Sequence, residues 1–284
     1  MTSELARHGA VLLRAPGQTV EAFTSLTDQL MDAVVHEATG TTDREPIEGN
    51  TTIATVNRGD DAIPLHREAA MYPGSPGLLA FYCERPAETG GETTICDGIE
   101  LLSRLDPSIR TFVIEETLVW LLRAPGPRWK AGLNMSSVEH AKSALPAIQA
   151  ALPSWQSFSA EFEGDTMHAV FRTKAVAPSQ FTGQPAFGST LLAHRYRAPG
   201  EFNALNLVKL QLEDGSTYPE HVLTILQETA ESLAIEIAWR PGDIVIVDNT
   251  RFMHGRRAYS DPARRILLRM GHLKAELRAA AVAN

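Results

Sequence analysis

Cysteine is almost missing from this chain: Cys83 and Cys96 are the only two in 284 residues. Both lie in apolar stretches, so the favoured reading is two buried thiols in a reducing compartment rather than a disulfide scaffold. Long apolar runs are missing as well. Nothing approaches the length of a membrane span, and the start, MTSELARHGAVLLRAPG, has no charged-then-apolar leader, so a cytoplasmic location and no membrane partner are expected. Positive charge is in deficit, with 26 Lys and Arg against 34 Asp and Glu and a formal net charge of −8. Nucleic acid rewards a basic face, and no basic stripe interleaved with aromatics is present, so it is not an expected partner. There is no internal repeat, and no glycine-rich loop follows a strand, which argues against a dinucleotide-binding fold.

What remains is an ordinary globular composition, 44% hydrophobic and 21% charged. The chain is long enough for a substantial core, and a single domain over 1–284 is expected, with a lid or insert around 123–192. A short strand is expected at Ala10–Arg14, then a helix from Thr19 to Glu37, in which Phe23, Leu26, Leu30 and Val34 recur at steps of three and four. The polar stretch Ala38–Asn50 reads as a loop. Leu78–Cys83 and Thr93–Cys96 read as strands separated by ERPAETGGE, whose proline and paired glycines suit a bend. Asp97 is placed to cap a helix over Gly98–Leu105, Asp106-Pro107 opens another, and Pro219 opens a third that runs to Ser232. The segment Arg123–Ser137 lacks periodicity and reads as a long ordered loop or a lid. Ala234–Trp239, Asp243–Asp248 and Arg265–Met270 are strand-like, so many short strands with inserted helices point to a closed or double-sheet β core.

The chemistry is concentrated in Leu65-His66-Arg67-Glu68. Residues two apart on a strand share a face, so His66 and Glu68 can reach one metal ion. A distant histidine would complete two imidazoles and one carboxylate, an arrangement that leaves positions open and suits non-haem iron(II). Taken alone the pair is weak, since nine histidines and 34 acidic residues give roughly one such pair by chance. Three other segments supply context. GGET at Gly90–Thr93 offers a threonine hydroxyl. WRPGDIVIVDNTRFMH carries an apolar strand into His254. Arg264, Arg265 and Arg269 lie in an otherwise apolar stretch, where a guanidinium is costly to bury without an anion and can pair bidentately with a carboxylate. Asn57 and Tyr82 are candidates to face a pocket, Arg128, Trp129 and Lys130 read as a solvated loop, and Asp248 and Asn249 read as fixing the turn before His254.

These intervals resemble the taurine dioxygenase/TfdA-like family of oxygenases. The family pattern is His-x-acid, then Gly-Gly-acid-Thr with its threonine 27 residues past the first histidine, then Trp-Arg-Pro, Asp-Asn and a distal histidine, with arginines 11 and 15 residues beyond. Thr93, His254, Arg265 and Arg269 stand at those places here. The resemblance covers nearly the whole chain, with Gly126–Leu192 its least recognisable part. It implies a fold that is mainly β with α, a double-stranded β-helix or jelly roll with flanking helices. It also implies Fe(II), 2-oxoglutarate and O2 as cofactors, with His66, Glu68 and His254 as metal ligands. Arg265 and Thr93 would bind 2-oxoglutarate, and Arg269 an anionic substrate group. Glu68 stands where taurine dioxygenase has aspartate; His-x-Glu is typical of relatives that hydroxylate amino acids, some tethered to a carrier protein. The resemblance thus implies a small amino-acid-like or natural-product substrate, free or carrier-bound, and a homo-oligomer. Hydroxylation is the leading reaction; desaturation, epoxidation or ring formation would use the same site. Two readings from other classes are a zinc hydrolase and a non-catalytic β-barrel binding protein. The first leaves Arg265 and Thr93 unexplained, and the intact ligand set argues against the second.

Overall fold

The structure is a computed structural model that describes residues 1–15, 17–34, 44–197 and 207–277, with backbone alone at 195–197. Two antiparallel sheets form the core. The larger runs in the order Ala10–Leu13, Ile244–Asp248, Leu78–Arg85, Arg265–Leu273, Asn50–Thr55, Pro46–Ile47, with Met31–Ala33 added beside the end of Arg265–Leu273. The smaller runs Ile235–Ile237, Thr93–Asp97, Phe252–Arg256, Ile63–His66. Apart from the hairpin of Pro46–Ile47 and Asn50–Thr55, neighbours in space are far apart in sequence, as a jelly roll requires.

The central strands are covered on both sides, and their sequence shows it. All of Ile244–Asp248 and the first six residues of Leu78–Arg85 are buried, a continuous apolar run rather than an alternation. Leu78, Ala80 and Tyr82 face outward onto Phe23 and Leu30 of the helix Val20–Leu30. Leu79, Phe81 and Cys83 face inward and meet Ile95, Ile237 and Phe252 of the smaller sheet. Each such side chain stabilises by about 1.5–3 kcal/mol when fully buried, so the two-sheet interior is rigid enough to fix side chains at its mouth.

The region 117–212 builds a separate four-stranded sheet, Val208–Leu212, Thr117–Ala124, Thr166–Lys174, Ser157–Glu163. Trp120, Trp129 and Phe171 fill a core shared with the helices Gly98–Arg104 and Glu220–Leu233. The expected loop over Arg123–Ser137 is instead a strand end followed by the helix Gly126–Leu133. Its periodicity is invisible because one bulky residue anchors it: buried Trp129 donates its indole N–H to the Asp165 carbonyl, and Lys130 pairs with Asp165.

The first long helix also differs from expectation. It stops at Leu30, and Met31–Ala33 turns into a strand against Gly271–Leu273. Val34 then packs in the inter-sheet core and donates its N–H to Met270, so sheet pairing overrides the helical spacing. Of the stretch expected as a loop, 44–50 carries the strand Pro46–Ile47 and begins Asn50–Thr55, while 38–43 lies outside the described residues. Asp97 caps its helix through Ile99 N–H, but Asp106 makes no such bond, and Pro219 is itself the N-cap of Glu220–Leu233. Both cysteines are free and buried. No helix among the described residues is long and apolar enough to cross a membrane.

Candidate active site

His66 ends the strand Ile63–His66 and is the cross-strand partner of His254 on Phe252–Arg256. Their rings lie 4.4 Å apart. Glu68 is already past the strand, in the turn that follows, so a shared strand face does not by itself bring it to the histidines. Asn249 does. Its side-chain carbonyl accepts the Glu68 N–H, and its amide donates to the carbonyls of Glu68 and Pro76, fixing the turn. One donor atom from each of His66, Glu68 and His254 then falls within 4.8 Å of the other two. The His66 Nδ1 lies 2.9 Å from the Pro64 carbonyl, which makes Nδ1 the protonated nitrogen and leaves Nε2 with its lone pair toward Glu68. Burial, then the neighbouring His66, pushes the His254 pKa down to about 3, so His254 is neutral, the form that can ligate.

Burial alone would raise the Glu68 pKa. Arg44, His66 and His254 reverse that and hold its carboxyl well below the usual range. Arg44 Nη2 sits 3.0 Å from Glu68 Oε2, with its Nε on the Asn57 side-chain carbonyl at 2.8 Å. Two imidazoles and a carboxylate converging from one side match the donor set of a non-haem iron(II) centre, so the residues fit that ion.

The cavity beside these donors is cationic. Arg44, Arg256 and Arg264 line it together with Thr93, His66 and His254, while Val56, Phe81 and Leu268 supply apolar walls. Arg264 is anchored by the Gly91 carbonyl, which accepts from both Nε and Nη2, and its Nη1 is buried without a partner. Gly91 has φ +70°, and a Cβ there would lie 2.7 Å from the Arg264 Nε, so the second glycine of GGET leaves room for this arginine.

Arg265 and Arg269 are not at the cavity. Arg265 is exposed on the outer side and pairs with Glu84. Arg269 points into the helix Val20–Leu30, bonding Thr52, Thr24, Thr27 and Asp28. The expected roles of these two at 2-oxoglutarate and substrate therefore find no support in the geometry; the inward residues of this strand are Ile266, Leu268 and Met270, and Arg264 precedes them on that side. Thr93 is brought in as expected, its hydroxyl accepting the Trp239 indole N–H at 3.1 Å. Asn57 lines the cavity, but Tyr82 faces the outer helix and donates to the Gln18 carbonyl. Arg44 and Arg256 were not anticipated. Arg256 is two residues beyond His254 on one strand, and strand period alone points to it.

A jelly roll with two imidazoles and a carboxylate converging at its mouth defines the class of metal-dependent oxygenases. The chain matches the taurine catabolism dioxygenase TauD, TfdA family over residues 2–270 and belongs to that family. It is an enzyme, an Fe(II)- and 2-oxoglutarate-dependent dioxygenase, as the family resemblance implied. It is 23% identical to a clavaminate synthase-like protein of Arabidopsis thaliana over 274 residues, covering 94% of this chain and 82% of that one. A taurine dioxygenase from Burkholderia xenovorans superposes with TM-score 0.60 at 15% identity, covering 99% and 87% of the two chains. PvcB from Pseudomonas aeruginosa superposes with TM-score 0.56 at 16% identity, covering 96% and 82%. These likenesses bear on the fold.

Proposed function

We propose that His66, Glu68 and His254 ligate Fe(II), that Arg264 and Thr93 hold the distal carboxylate of 2-oxoglutarate, and that the enzyme hydroxylates a C–H bond of a small amino-acid-like molecule. The observation that carries the reading is the convergence of His66, Glu68 and His254 within 4.8 Å beside a buried, unpartnered Arg264 N–H. PvcB, described as an Fe, α-ketoglutarate-dependent oxygenase, lends support through its shared fold. A zinc hydrolase would use the same three donors but gives Arg264 and Thr93 no task.

With the ion and 2-oxoglutarate bound, O2 is consumed as 2-oxoglutarate becomes succinate and CO2, with the second oxygen atom delivered to the substrate. The chain's own residues bind, orient and shield. Pro64 and Asn249 fix the directions of His66 and Glu68. Phe81 packs on the His254 ring, with centroids 5.6 Å apart, and with Val56 and Leu268 it keeps water from the reacting centre. Arg44 and Asn57 lie on the Glu68 side of the cavity, where a cation and an amide suit the carboxylate and polar groups of an amino-acid-like substrate, free or carrier-bound.

Anaerobic titration of the protein with Fe(II) and 2-oxoglutarate tests this through the visible charge-transfer band of a metal-chelated 2-oxo acid. The band should form in the wild type, vanish in His66→Ala and demand far more 2-oxoglutarate in Arg264→Gln. Iron binding without a band would overturn the cofactor assignment and send attention to zinc.

A further inference from the structure

Arg256 and Arg264 share one aromatic ring. Each guanidinium carbon lies 5.0 Å from the centre of the Tyr259 ring, and both side chains are at least nine-tenths buried. Two buried like charges repel, and the repulsion is legible in Arg264, whose pKa falls to about 10 through burial and then through Arg256. Each also has one buried nitrogen without a partner: Nε of Arg256 and Nη1 of Arg264. The other two Arg256 nitrogens each donate one bond, Nη1 to the Asn57 carbonyl and Nη2 to that of Asp61. The unpartnered nitrogens thus number one on each arginine, beside Thr93, which is the cross-strand partner of Arg256. Directly opposed residues bring their Cβ atoms to about 4.5–5.5 Å.

We propose that Arg256 is a second guanidinium for the distal carboxylate of 2-oxoglutarate, so that the co-substrate is gripped by an arginine pair sharing Tyr259. This rests on the reading that Arg264 and Thr93 hold that carboxylate. A carboxylate has two oxygens and about four acceptor sites, enough to take Nη1–H from Arg264, Nε–H from Arg256 and the Thr93 hydroxyl together. Its negative charge also relieves the repulsion that the pair carries alone. Arg256 reaches the site because it is two residues past His254 on one strand, so the strand that offers a metal ligand also offers a cofactor-binding cation. The ligand class is therefore a dicarboxylic 2-oxo acid, and a monocarboxylic one leaves both N–H groups unmet.

The test is equilibrium binding to the Mn(II)-loaded, full-length protein, measured by calorimetry with 2-oxoglutarate and with 2-oxobutyrate, which lacks the distal carboxylate. Arg256→Gln should raise the Kd for 2-oxoglutarate by about 10- to 100-fold, the range for losing a charge-assisted hydrogen bond, and change that for 2-oxobutyrate less than about twofold. Arg256→Lys, which keeps the charge and guards against a variant that fails to fold, should recover part of the loss. If Arg256→Gln leaves 2-oxoglutarate binding within about twofold, or weakens both acids equally, the residue only braces the 57–61 backbone and the proposal is overturned. Arg264→Gln separates the two ideas. A large loss there with none in Arg256→Gln keeps the cofactor reading and removes the pair, whereas no loss in either variant removes both.

Discussion

The side chain of Asn249 brackets the peptide of Glu68, accepting its N–H at 3.1 Å and donating to its carbonyl at 3.2 Å. Asn249 is fully buried and 181 residues away in sequence, at the turn between the strand Ile244–Asp248 and the one that carries His254. The larger sheet therefore braces the carboxylate donor through this amide. Removing it leaves the buried Glu68 N–H unmet, with only the Ser75 hydroxyl still on the Glu68 carbonyl, and frees the turn to move. Asn249→Ala should lower Fe(II) or Zn(II) affinity by about 10- to 100-fold, the usual range for a residue that orients a ligand. Competition with a chelator of known affinity measures it, and unchanged affinity would show that the strand end alone suffices.

Arg269 looks like a site residue by interval and behaves as a structural one by contact. Its Nη1 donates to the Thr27 hydroxyl at 2.7 Å and the Thr24 carbonyl at 3.1 Å, tying the larger sheet to its covering helix. Arg269→Ala should cost about 2–3 kcal/mol in urea denaturation, from several charge-assisted bonds lost in a buried place, while 2-oxoglutarate affinity holds. Arg265→Ala, which removes only an exposed pair, should change neither quantity beyond about 0.5 kcal/mol. A collapse of 2-oxoglutarate binding in Arg265→Ala with stability intact would return the cofactor role to Arg265.

The difference between Arg264 and Arg265 shows where reading a sequence stops. His66, Thr93 and His254 lie on paired strands, so their intervals along the chain translate directly into positions on one face. The arginine follows a loop and meets its strand at an irregularity: Arg265 pairs with Arg85, but Ile266 pairs with Cys83. A one-residue shift of register exchanges the inner and outer faces, and no interval counted from His254 reveals it. Arg44 was hidden for another reason. It comes from a polar stretch far from every motif and reaches Glu68 only through tertiary packing. The two-sheet core was legible because its central strands are apolar throughout. The helix Gly126–Leu133 was not, because Trp129 alone anchors it deeply.

Cys83 and Cys96 carry no role in the proposed chemistry, and burial raises both thiols to about 12. At pH 8 the thiolate fraction is then on the order of 1 in 10,000, against roughly a quarter for an ordinary cysteine. A thiol reagent such as dithionitrobenzoate should thus leave the folded protein untouched and titrate two thiols in denaturant. Raising the pH from 8 to 10 without unfolding should multiply that thiolate fraction about a hundredfold, still only on the order of 1 in 100, so labelling stays slow. Fast labelling of either cysteine at pH 8 would show that the core opens locally far more than its packing allows.

Arg44 places a positive charge beside the residues proposed to receive a divalent cation, and it does so on the carboxylate itself. An ion at Glu68 would feel that guanidinium at close range and compete with it for Glu68 Oε2. Even at an effective dielectric near 20, such repulsion is worth on the order of 1 kcal/mol or more after relaxation. Arg44→Gln should consequently bind Zn(II) or Fe(II) several-fold more tightly than the wild type in chelator competition at low salt. Weaker metal binding would mean that Arg44 orients Glu68 more than it opposes the ion. A cation kept where it opposes the metal makes sense if an anion arrives later to lie between them. On that logic Arg44→Gln gains metal affinity but loses affinity for a carboxylate-bearing substrate in the metal-loaded enzyme, and the two changes have opposite sign in one variant.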